Sequence, residues 1–277
     1  MVLINRKKKM NSSTVSRIVR AACILIATIS GLGCSVKEDR QPCPSWLQLY
    51  ISGCATYSSS LSISLWNDQK IFGERVAISD YPDCYEREVT KGHYMVSSYT
   101  GTHRSMIEDT KLIIPYGEDA DSLYAYSDML ACTEEFTRDT VSLLKKHACV
   151  TLQVNMPENE VCTYTYRIHS KICGTDLLDF SPIPGEFMIE RQAKDNKVHF
   201  CLPRQDAGHP DDLYIQVEKE DGTPFHRIDL GKMIQGTGYN WDSRNLQDII
   251  LGIDYIQSEI TLVIPDWDAG NMFEIEF

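Results

Sequence analysis

Hydrophobic and polar residues alternate with a period of two along most of the chain after residue 43. Leu61, Ile63 and Leu65, for example, are separated by serines. Because successive side chains of a strand point to opposite faces, this alternation predicts half-buried β-strands. In the first half of the chain it predicts strands at residues 47–51, 61–65, 75–78, 93–98, 112–115, 122–125 and 140–144. Short strands separated by turn residues, with no helical pattern between them, are typical of a β-sandwich.

The alternation resumes in the second half, where Val150, Leu152 and Val154 share one face of a strand. Strands are predicted there at residues 150–156, 163–169, 186–189, 198–202, 213–217, 225–228, 260–264 and 272–277. One helical turn is predicted at residues 245–252, with Asn245 as its cap and a glycine as its stop. The second half is therefore predicted to be another sandwich with its own core.

Length agrees with a division into two domains. Without its first 33 residues the chain of 277 residues is long for one compact domain and sufficient for two. We therefore predict an all-β protein with an amino-terminal sandwich at residues 46–145 and a carboxy-terminal sandwich at residues 146–277. A leader at residues 1–33 and a tether at residues 34–45 are predicted to precede them.

The amino-terminal stretch has the order of a bacterial export signal. Basic residues at 6–20 precede an apolar run at 21–29, and small residues then lead to Gly33 and Cys34. The apolar run is far shorter than the ~20 residues that a membrane-spanning helix needs, so it predicts a cleaved signal peptide. The Gly-Cys step resembles a lipobox, although Gly31 stands where a lipobox usually carries Leu. Cys34 is the predicted lipid attachment site, with cleavage after Gly33; an ordinary secretory leader with an incidental cysteine is the alternative.

The three residues Lys37, Glu38 and Asp39 follow this cysteine closely. Their order resembles the short signal that sends certain Gram-negative lipoproteins to the outer leaflet of the outer membrane. Each buried methylene of an acyl chain contributes about 0.8 kcal/mol, so two or three chains hold a soluble domain at a bilayer. We therefore expect a surface-exposed protein attached to the outer membrane through acyl chains on Cys34.

Charge excludes one class of partner. The leader holds six of the 27 basic residues and none of the 39 acidic ones, which leaves a net charge of −18 on the rest of the chain. Duplex binding needs a basic face that displaces counterions, so a nucleic-acid partner is not expected. Direct adsorption to anionic headgroups is disfavoured for the same reason, which leaves the acyl chains as the membrane contact.

Cysteine content is consistent with an oxidising compartment. Eight cysteines follow Cys34, four on each side of residue 146: Cys43, Cys54, Cys84, Cys132, Cys149, Cys162, Cys173 and Cys201. An even number in each half favours a disulfide framework, but eight cysteines allow 105 pairings and the sequence does not choose among them. Free, buried thiols are the alternative for several of them.

Motifs for catalysis and metal binding are few. The sequence has no Gly-x-Ser-x-Gly elbow, no Gly-rich phosphate loop and no His-Glu-x-x-His, and we assign no catalytic residue and no cofactor. Asp266 and Asp268 flank a tryptophan at a predicted strand end, where a solvated turn explains them better than an acid–base pair. His199 and Cys201 would project together from one strand, but disulfides are the better use of cysteine in an exported protein, so no metal site is predicted.

The aromatic residues also allow a different interpretation, a carbohydrate-binding surface. The four tryptophans and fourteen tyrosines would suit a sugar-stacking platform on a sandwich. The alternative is that these side chains fill the two cores and cover sheet edges, as aromatic residues mostly do in sandwiches.

The order of features near the carboxy terminus resembles a known family. An aromatic pair is followed by an apolar segment with an aspartate, an Ile-Asp-Tyr step and a strand that closes on Asp-Trp, which involves Tyr239, Trp241, Leu246, Asp248, Tyr255, Asp266 and Trp267. This resembles the signature of the fimbrial anchor and assembly lipoproteins, the FimB-type anchors of major and minor fimbriae. The lipobox, the early Cys43-Pro44 step and the start of the second half at Lys146 also fall where the family has them.

The resemblance implies two tandem transthyretin-like β-sandwich domains, no enzymatic activity and a role at the base of a pilus. Fimbrial shaft subunits are the implied partners, joined by strand complementation, in which an incoming strand satisfies an open sheet edge. Residues 272–277 are a candidate contact, although an ordinary last strand is the simpler interpretation. The function expected is anchoring of a fimbrium with an influence on its assembly and length; the alternative is a surface-exposed glycan-binding lipoprotein.

Overall fold

The structure is a computed structural model that describes residues 43–158, 160–254, 259–263 and 273–276. The first half of the described chain contains β1 (Ser45–Tyr50), β2 (Ser60–Trp66), β3 (Lys70–Ala77), β4 (Tyr85–Val89), β5 (Gly92–Thr100), β6 (Met106–Glu108), β7 (Lys111–Ile113), β8 (Tyr124–Cys132), β9 (Phe136–Thr140) and β10 (Leu144–Lys145). The second half contains β11 (His147–Asn155), β12 (Thr165–Asp176), β13 (Pro182–Gln192), β14 (Lys197–Pro203), β15 (Tyr214–Glu218), β16 (Pro224–Ile228), helix α1 (Leu230–Gly236), β17 (Ile249–Asp254), β18 (Glu259–Val263) and β19 (Phe273–Glu276). The prediction of an all-β protein is confirmed.

The first half builds two facing sheets around one core. One sheet has the strand order β4-β1-β9, in which β1 runs antiparallel to β4 and parallel to β9. The other has the order β10-β8-β5-β2-β3. The predicted alternation places Leu47 and Leu49 of β1 and Leu61, Ile63 and Leu65 of β2 in the shared core, each with 1% exposure or less.

The second half repeats this strand order. The order β14-β11-β17 corresponds to β4-β1-β9, including the parallel pairing of β11 with β17, and the hairpin β18-β19 extends that sheet. In the facing sheet, β13, β12, β15 and β16 pair successively, as β3, β2, β5 and β8 do in the first half. These two sheets enclose a second, larger core.

The hairpin β6-β7 connects the halves, because it belongs by sequence to the first and pairs with β12 of the second. Leu112 of this hairpin lies in the second core. Gly174 of β12 permits the approach, since a Cβ at this position would stand 2.2 Å from the carbonyl oxygen of Leu112. The boundary at residues 145 and 146 stays a prediction, and this pairing shows that residues 111–113 take part in a sheet of the second half.

Two local predictions are wrong. The predicted helical turn at residues 245–252 is an irregular segment followed by strand β17. Ile249, Leu251 and Ile253 of β17 are buried at alternate positions, which is strand periodicity that the preceding asparagine and the glycine within the strand obscured. The strand predicted at residues 140–144 is divided between the end of β9 and the start of β10. Helix α1 and strands β4, β6 and β9 were not predicted.

One disulfide is present among the described cysteines. Cys149 of β11 and Cys201 of β14 stand directly opposite each other in an antiparallel pair, with a Cα–Cα distance of 4.1 Å. The other six described cysteines are free: Cys43, Cys54, Cys84, Cys132, Cys162 and Cys173. Cys54 and Cys132 are buried in the first core and Cys162 in the second, so for these three the alternative of free, buried thiols is correct.

Candidate functional site

Several predicted site residues lie outside the part of the chain that the structure describes. At the amino-terminal end these are Gly33, Cys34, Lys37, Glu38 and Asp39. Near the carboxy terminus they are Tyr255, Asp266 and Trp267. Lipid attachment, signal cleavage and surface export therefore stay predictions from the sequence.

The other four predicted residues lie in residues 239–248, called here the signature segment. Tyr239 and Trp241 are in edge-to-face contact, with ring centroids 4.8 Å apart. Trp241 is 4% exposed, and the Tyr239 hydroxyl donates a hydrogen bond to the carbonyl oxygen of Gln247 at 2.8 Å. Burial raises the pKa of Tyr239, so the hydroxyl stays protonated as a donor. The hydrogen bond of Tyr239 thus joins the two ends of the signature segment, and Trp241 packs in the second core.

The distal end of the signature segment bonds to Lys145, the last residue of the first half, and to Cys149 of β11. The N–H of Leu246, which is 1% exposed, donates to the carbonyl oxygen of Lys145 at 3.0 Å. Asn245 accepts from the N–H of Lys145 at 2.9 Å. Asp248 accepts from the N–H of Cys149 at 2.8 Å and forms an ion pair with the ammonium group of Lys145. The structure therefore brings Tyr239, Trp241, Leu246 and Asp248 together in a structural role at the junction of the halves.

A cluster of cations lies at the same junction and was not identified from the sequence. Lys146 is 3% exposed; its ammonium group donates to the carbonyl oxygen of Arg244 at 2.9 Å and stands 3.9 Å from the ring centroid of Phe180. Arg204 is 8% exposed and donates through Nη2 to the carbonyl oxygen of Ser243 at 2.8 Å. Burial, together with the charges of Arg204 and Arg244, lowers the pKa of Lys146 to about 8.

These cations line a cavity of about 260 Å³, called here the junction cavity. Its other walls come from β8, from the loop after β12 and from the signature segment. Because Lys146, Arg204 and Arg244 are far apart in the sequence, only the fold brings them to one cavity. Lys146 had been noted only as the start of the second half.

A second cavity of about 280 Å³ lies beside the aromatic pair. Its lining includes Tyr239, Trp241 and Leu213, together with polar groups on the rim. Two rim groups are already paired, because Lys171 stands 3.1 Å from a carboxylate oxygen of Asp212. This cavity offers mainly apolar contact area.

Three candidate metal ligands lie together on β11 and β14, and two of them form a disulfide. The ligand atoms of Cys149, His199 and Cys201 lie within 4.8 Å of one another. The disulfide consumes both thiols, and the His199 Nδ1 atom is 3.1 Å from the Thr151 hydroxyl. In the oxidised protein the cluster therefore offers a metal ion only the imidazole of His199.

Comparison with known proteins shows the fold. No protein-family model and no curated protein matches the sequence. Among solved structures, a proposed adhesin from Bacteroides ovatus is 12% identical with a TM-score of 0.59, and the match covers 87% of this chain and 98% of that one. A proposed polysaccharide-binding protein from Bacteroides thetaiotaomicron is 12% identical with a TM-score of 0.60, over 84% of this chain and 98% of that one.

The fimbrial anchor protein Mfa2 from Porphyromonas gingivalis also shares the fold. It is 12% identical with a TM-score of 0.57, and the match covers 81% of this chain and 98% of that one. At these identities the likeness concerns the fold, which agrees with the β-sandwich architecture that the resemblance implied. In the described part of the chain, no helix combines the length and apolar character needed to span a membrane.

Proposed function

We propose that this protein is an outer-membrane lipoprotein that anchors a fimbrium to the cell surface and contributes to its assembly and length control. The observation that carries the proposal is the match to a fimbrial anchor over 98% of that anchor's chain. The order of signal peptide, cysteine and β-sandwich sequence supports it, since an anchor needs a membrane attachment and a folded body that meets the fimbrium. The proposed role is structural and not enzymatic.

In this proposal, cleavage after Gly33 leaves Cys34 as an acylated amino terminus. Lys37, Glu38 and Asp39 direct the protein to the outer leaflet, where its sandwiches face the surroundings. Growth on labelled palmitate tests this step: the wild-type protein takes up the label, and a Cys34→Ala variant does not. Label that persists in the variant contradicts lipidation at Cys34, and Cys43→Ala serves as the matched control because Cys43 is exposed and free.

Fimbrial shaft subunits are the proposed partners. Strand complementation requires an open sheet edge, and the described sheets end in edge strands that include β9 in the first half and β19 in the second. Backbone groups on such an edge can pair with an added strand along its length. The carboxy-terminal strand β19 is the edge that corresponds to the candidate contact at residues 272–277.

Deletion of the protein tests the function. Loss of an anchor that limits length is expected to release long fimbriae into the medium, whereas cells that keep attached fimbriae of ordinary length would contradict the proposal. Co-purification of a fimbrial subunit with the wild-type protein tests the partnership directly. The two measurements separate anchoring from assembly, because a subunit can bind without being held at the membrane.

A glycan-binding surface lipoprotein is the second candidate. It is favoured by the shared fold with a proposed polysaccharide-binding protein and by the cavity beside Tyr239 and Trp241. Under this alternative, deletion leaves fimbriae attached and removes binding of a polysaccharide to the cell surface.

A further inference from the structure

Lys146 and Arg204 are buried cations that form no ion pair with a described carboxylate, although the charge of Asp242 acts on Arg204 from a longer distance. They are 3% and 8% exposed, and no carboxylate of the described side chains comes within 4.0 Å of either charged group. Removing an ion from water costs several kcal/mol, and proteins normally offset this cost with an opposite charge at hydrogen-bond distance. Two such groups beside one cavity therefore indicate that an anion completes the site.

Unused hydrogen-bond donors line the same cavity. The Nε atom of Arg204 and the Oγ atom of Ser127 are both buried, and neither has a hydrogen-bond partner in the described part of the protein. Lys146 keeps two further N–H groups beyond the one that it gives to the carbonyl oxygen of Arg244. A guanidinium edge, an ammonium group and a hydroxyl form a donor set that suits an oxyanion.

The balance of charge around the cavity indicates the charge of the ligand. The side chains that line it include three cations, Lys146, Arg204 and Arg244, and two carboxylates, Asp179 and Asp242, which are both exposed. One positive charge remains, which matches a monoanion better than a phosphate dianion. The volume of about 260 Å³ exceeds the ~30 Å³ share of one water molecule several times, so the ligand has room for a small organic body.

We propose that the junction cavity binds a small organic carboxylate, held by the guanidinium of Arg204, the ammonium of Lys146 and the hydroxyl of Ser127. Ligands of this chemistry include acetate and sugar acids such as glucuronate. The ligand would sit between strand β8 of the first half and the signature segment of the second, and its binding would fasten the two. This inference does not depend on the proposed anchoring function.

Binding of the anion is expected to change the protonation of Lys146. Lys146 faces Arg204 and Arg244, the exposed Asp179 and Asp242, and Tyr126 of β8, whose pKa burial raises. Burial and the two arginines lower the pKa of Lys146 to about 8. A bound carboxylate adds an opposite charge, which raises that pKa, so binding at a pH slightly above 8 takes up protons.

The test is titration calorimetry of the purified protein with sodium glucuronate, sodium acetate, glucose and sodium chloride at constant ionic strength. Glucuronate is expected to bind, and its affinity is expected to fall about tenfold or more in Arg204→Gln and in Lys146→Met, as loss of a charge-assisted hydrogen bond predicts. Ser127→Ala is a milder variant that keeps both charges. Arg138→Gln, which removes an exposed arginine, is the matched control and is expected to bind normally.

The comparison of acetate with glucuronate shows which part of the ligand is recognised. Other results would overturn the proposal. Binding of acetate as tight as that of glucuronate shows that the carboxylate alone is recognised, and tighter binding of glucuronate shows that the sugar body contributes. Heats no larger than those of chloride or glucose, or glucuronate binding unchanged in Arg204→Gln and Lys146→Met, overturn it. Proton uptake at pH 8.5, measured in two buffers of different ionisation enthalpy, is expected in the wild type and not in Lys146→Met.

Discussion

The carboxylate of Asp248 accepts a hydrogen bond from the backbone N–H of Cys149 at 2.8 Å and also pairs with the ammonium group of Lys145. One side chain of the signature segment therefore holds the start of β11, the strand at which the second half begins. The feature that resembles the fimbrial anchor family thus contacts both sides of the junction, Lys145 at the end of the first half and Cys149 in the second.

Asp248→Ala tests this fastening. It leaves the N–H of Cys149 without its acceptor and Lys145 without its ion pair, so we expect the free energy of unfolding to fall by about 1–3 kcal/mol. Urea denaturation followed by circular dichroism measures the change. Asp68→Ala, at an exposed position, is the control and is expected to remain within about 0.5 kcal/mol of the wild type. Equal stability of the two variants would contradict a fastening role.

Trp241 and Trp46 form a matched pair for the aromatic contact. Trp241 is 4% exposed and packs against Tyr239, whereas Trp46 is 38% exposed. Trp241→Ala is expected to cost about 3–5 kcal/mol because it opens a cavity in a packed core. Trp46→Ala is expected to change stability far less. If both substitutions had the same small effect, the signature segment would not support the second core.

His147 makes stability depend on pH. Burial lowers its pKa to about 4 from an ordinary value of 6.5, although its contact with the carbonyl oxygen of Leu123 acts in the opposite direction. Between these two pH values the unfolded chain binds a proton that the native chain does not, so stability present above pH 6.5 is lost as the pH falls towards 4. The expected loss is about 3 kcal/mol.

Urea denaturation at several pH values measures how the free energy of unfolding changes with pH in two variants. His147→Gln is expected to remove the part of the slope that belongs to His147, while His93→Gln, at an exposed position, is expected to keep it. A wild-type slope that persists in His147→Gln would assign the pH dependence to other groups.

The Cys149–Cys201 disulfide is expected to stabilise the protein because it closes a loop and so lowers the entropy of the unfolded chain. The two cysteines are 52 positions apart, and a loop of that length corresponds to about 4 kcal/mol in the chain-entropy model. The double variant Cys149→Ala/Cys201→Ala is therefore expected to unfold at lower urea concentration than Cys43→Ala, which removes a free, exposed thiol. Alkylation and mass spectrometry of the unfolded, unreduced protein give an independent measurement: Cys43 is modified, and Cys149 and Cys201 are not.

Periodicity in the sequence located most strands because one face of each strand is buried. It failed at β17, where Ile249, Leu251 and Ile253 alternate correctly but Asn245 before the strand and a glycine at position 252 within it suggested a helix. It also missed strands β4 and β9, because β4 buries only its first and last residues and β9 has no fully buried residue, so neither shows a clear alternation. Sheet-edge strands of this kind are defined by their neighbours more than by their own sequence.

The site was predictable only in part, for a related reason. The resemblance pointed to Tyr239, Trp241, Leu246 and Asp248, and the structure places these four together. It gave no signal for the junction cavity, since Lys146 directly precedes β11, Arg204 directly follows β14, and only the pairing of these two strands brings the residues together. Cysteine pairing was equally undetermined until the register of β11 and β14 set Cys149 opposite Cys201.

The most direct test of the anchoring role is the fraction of fimbriae that remains attached to cells whose only change is Cys34→Ala. The proposal predicts that these cells release fimbriae into the medium, because the protein is made and folded but is no longer held by acyl chains. A strain with Cys43→Ala is predicted to keep its fimbriae attached. Fimbriae that stay on Cys34→Ala cells in the wild-type proportion would contradict the account.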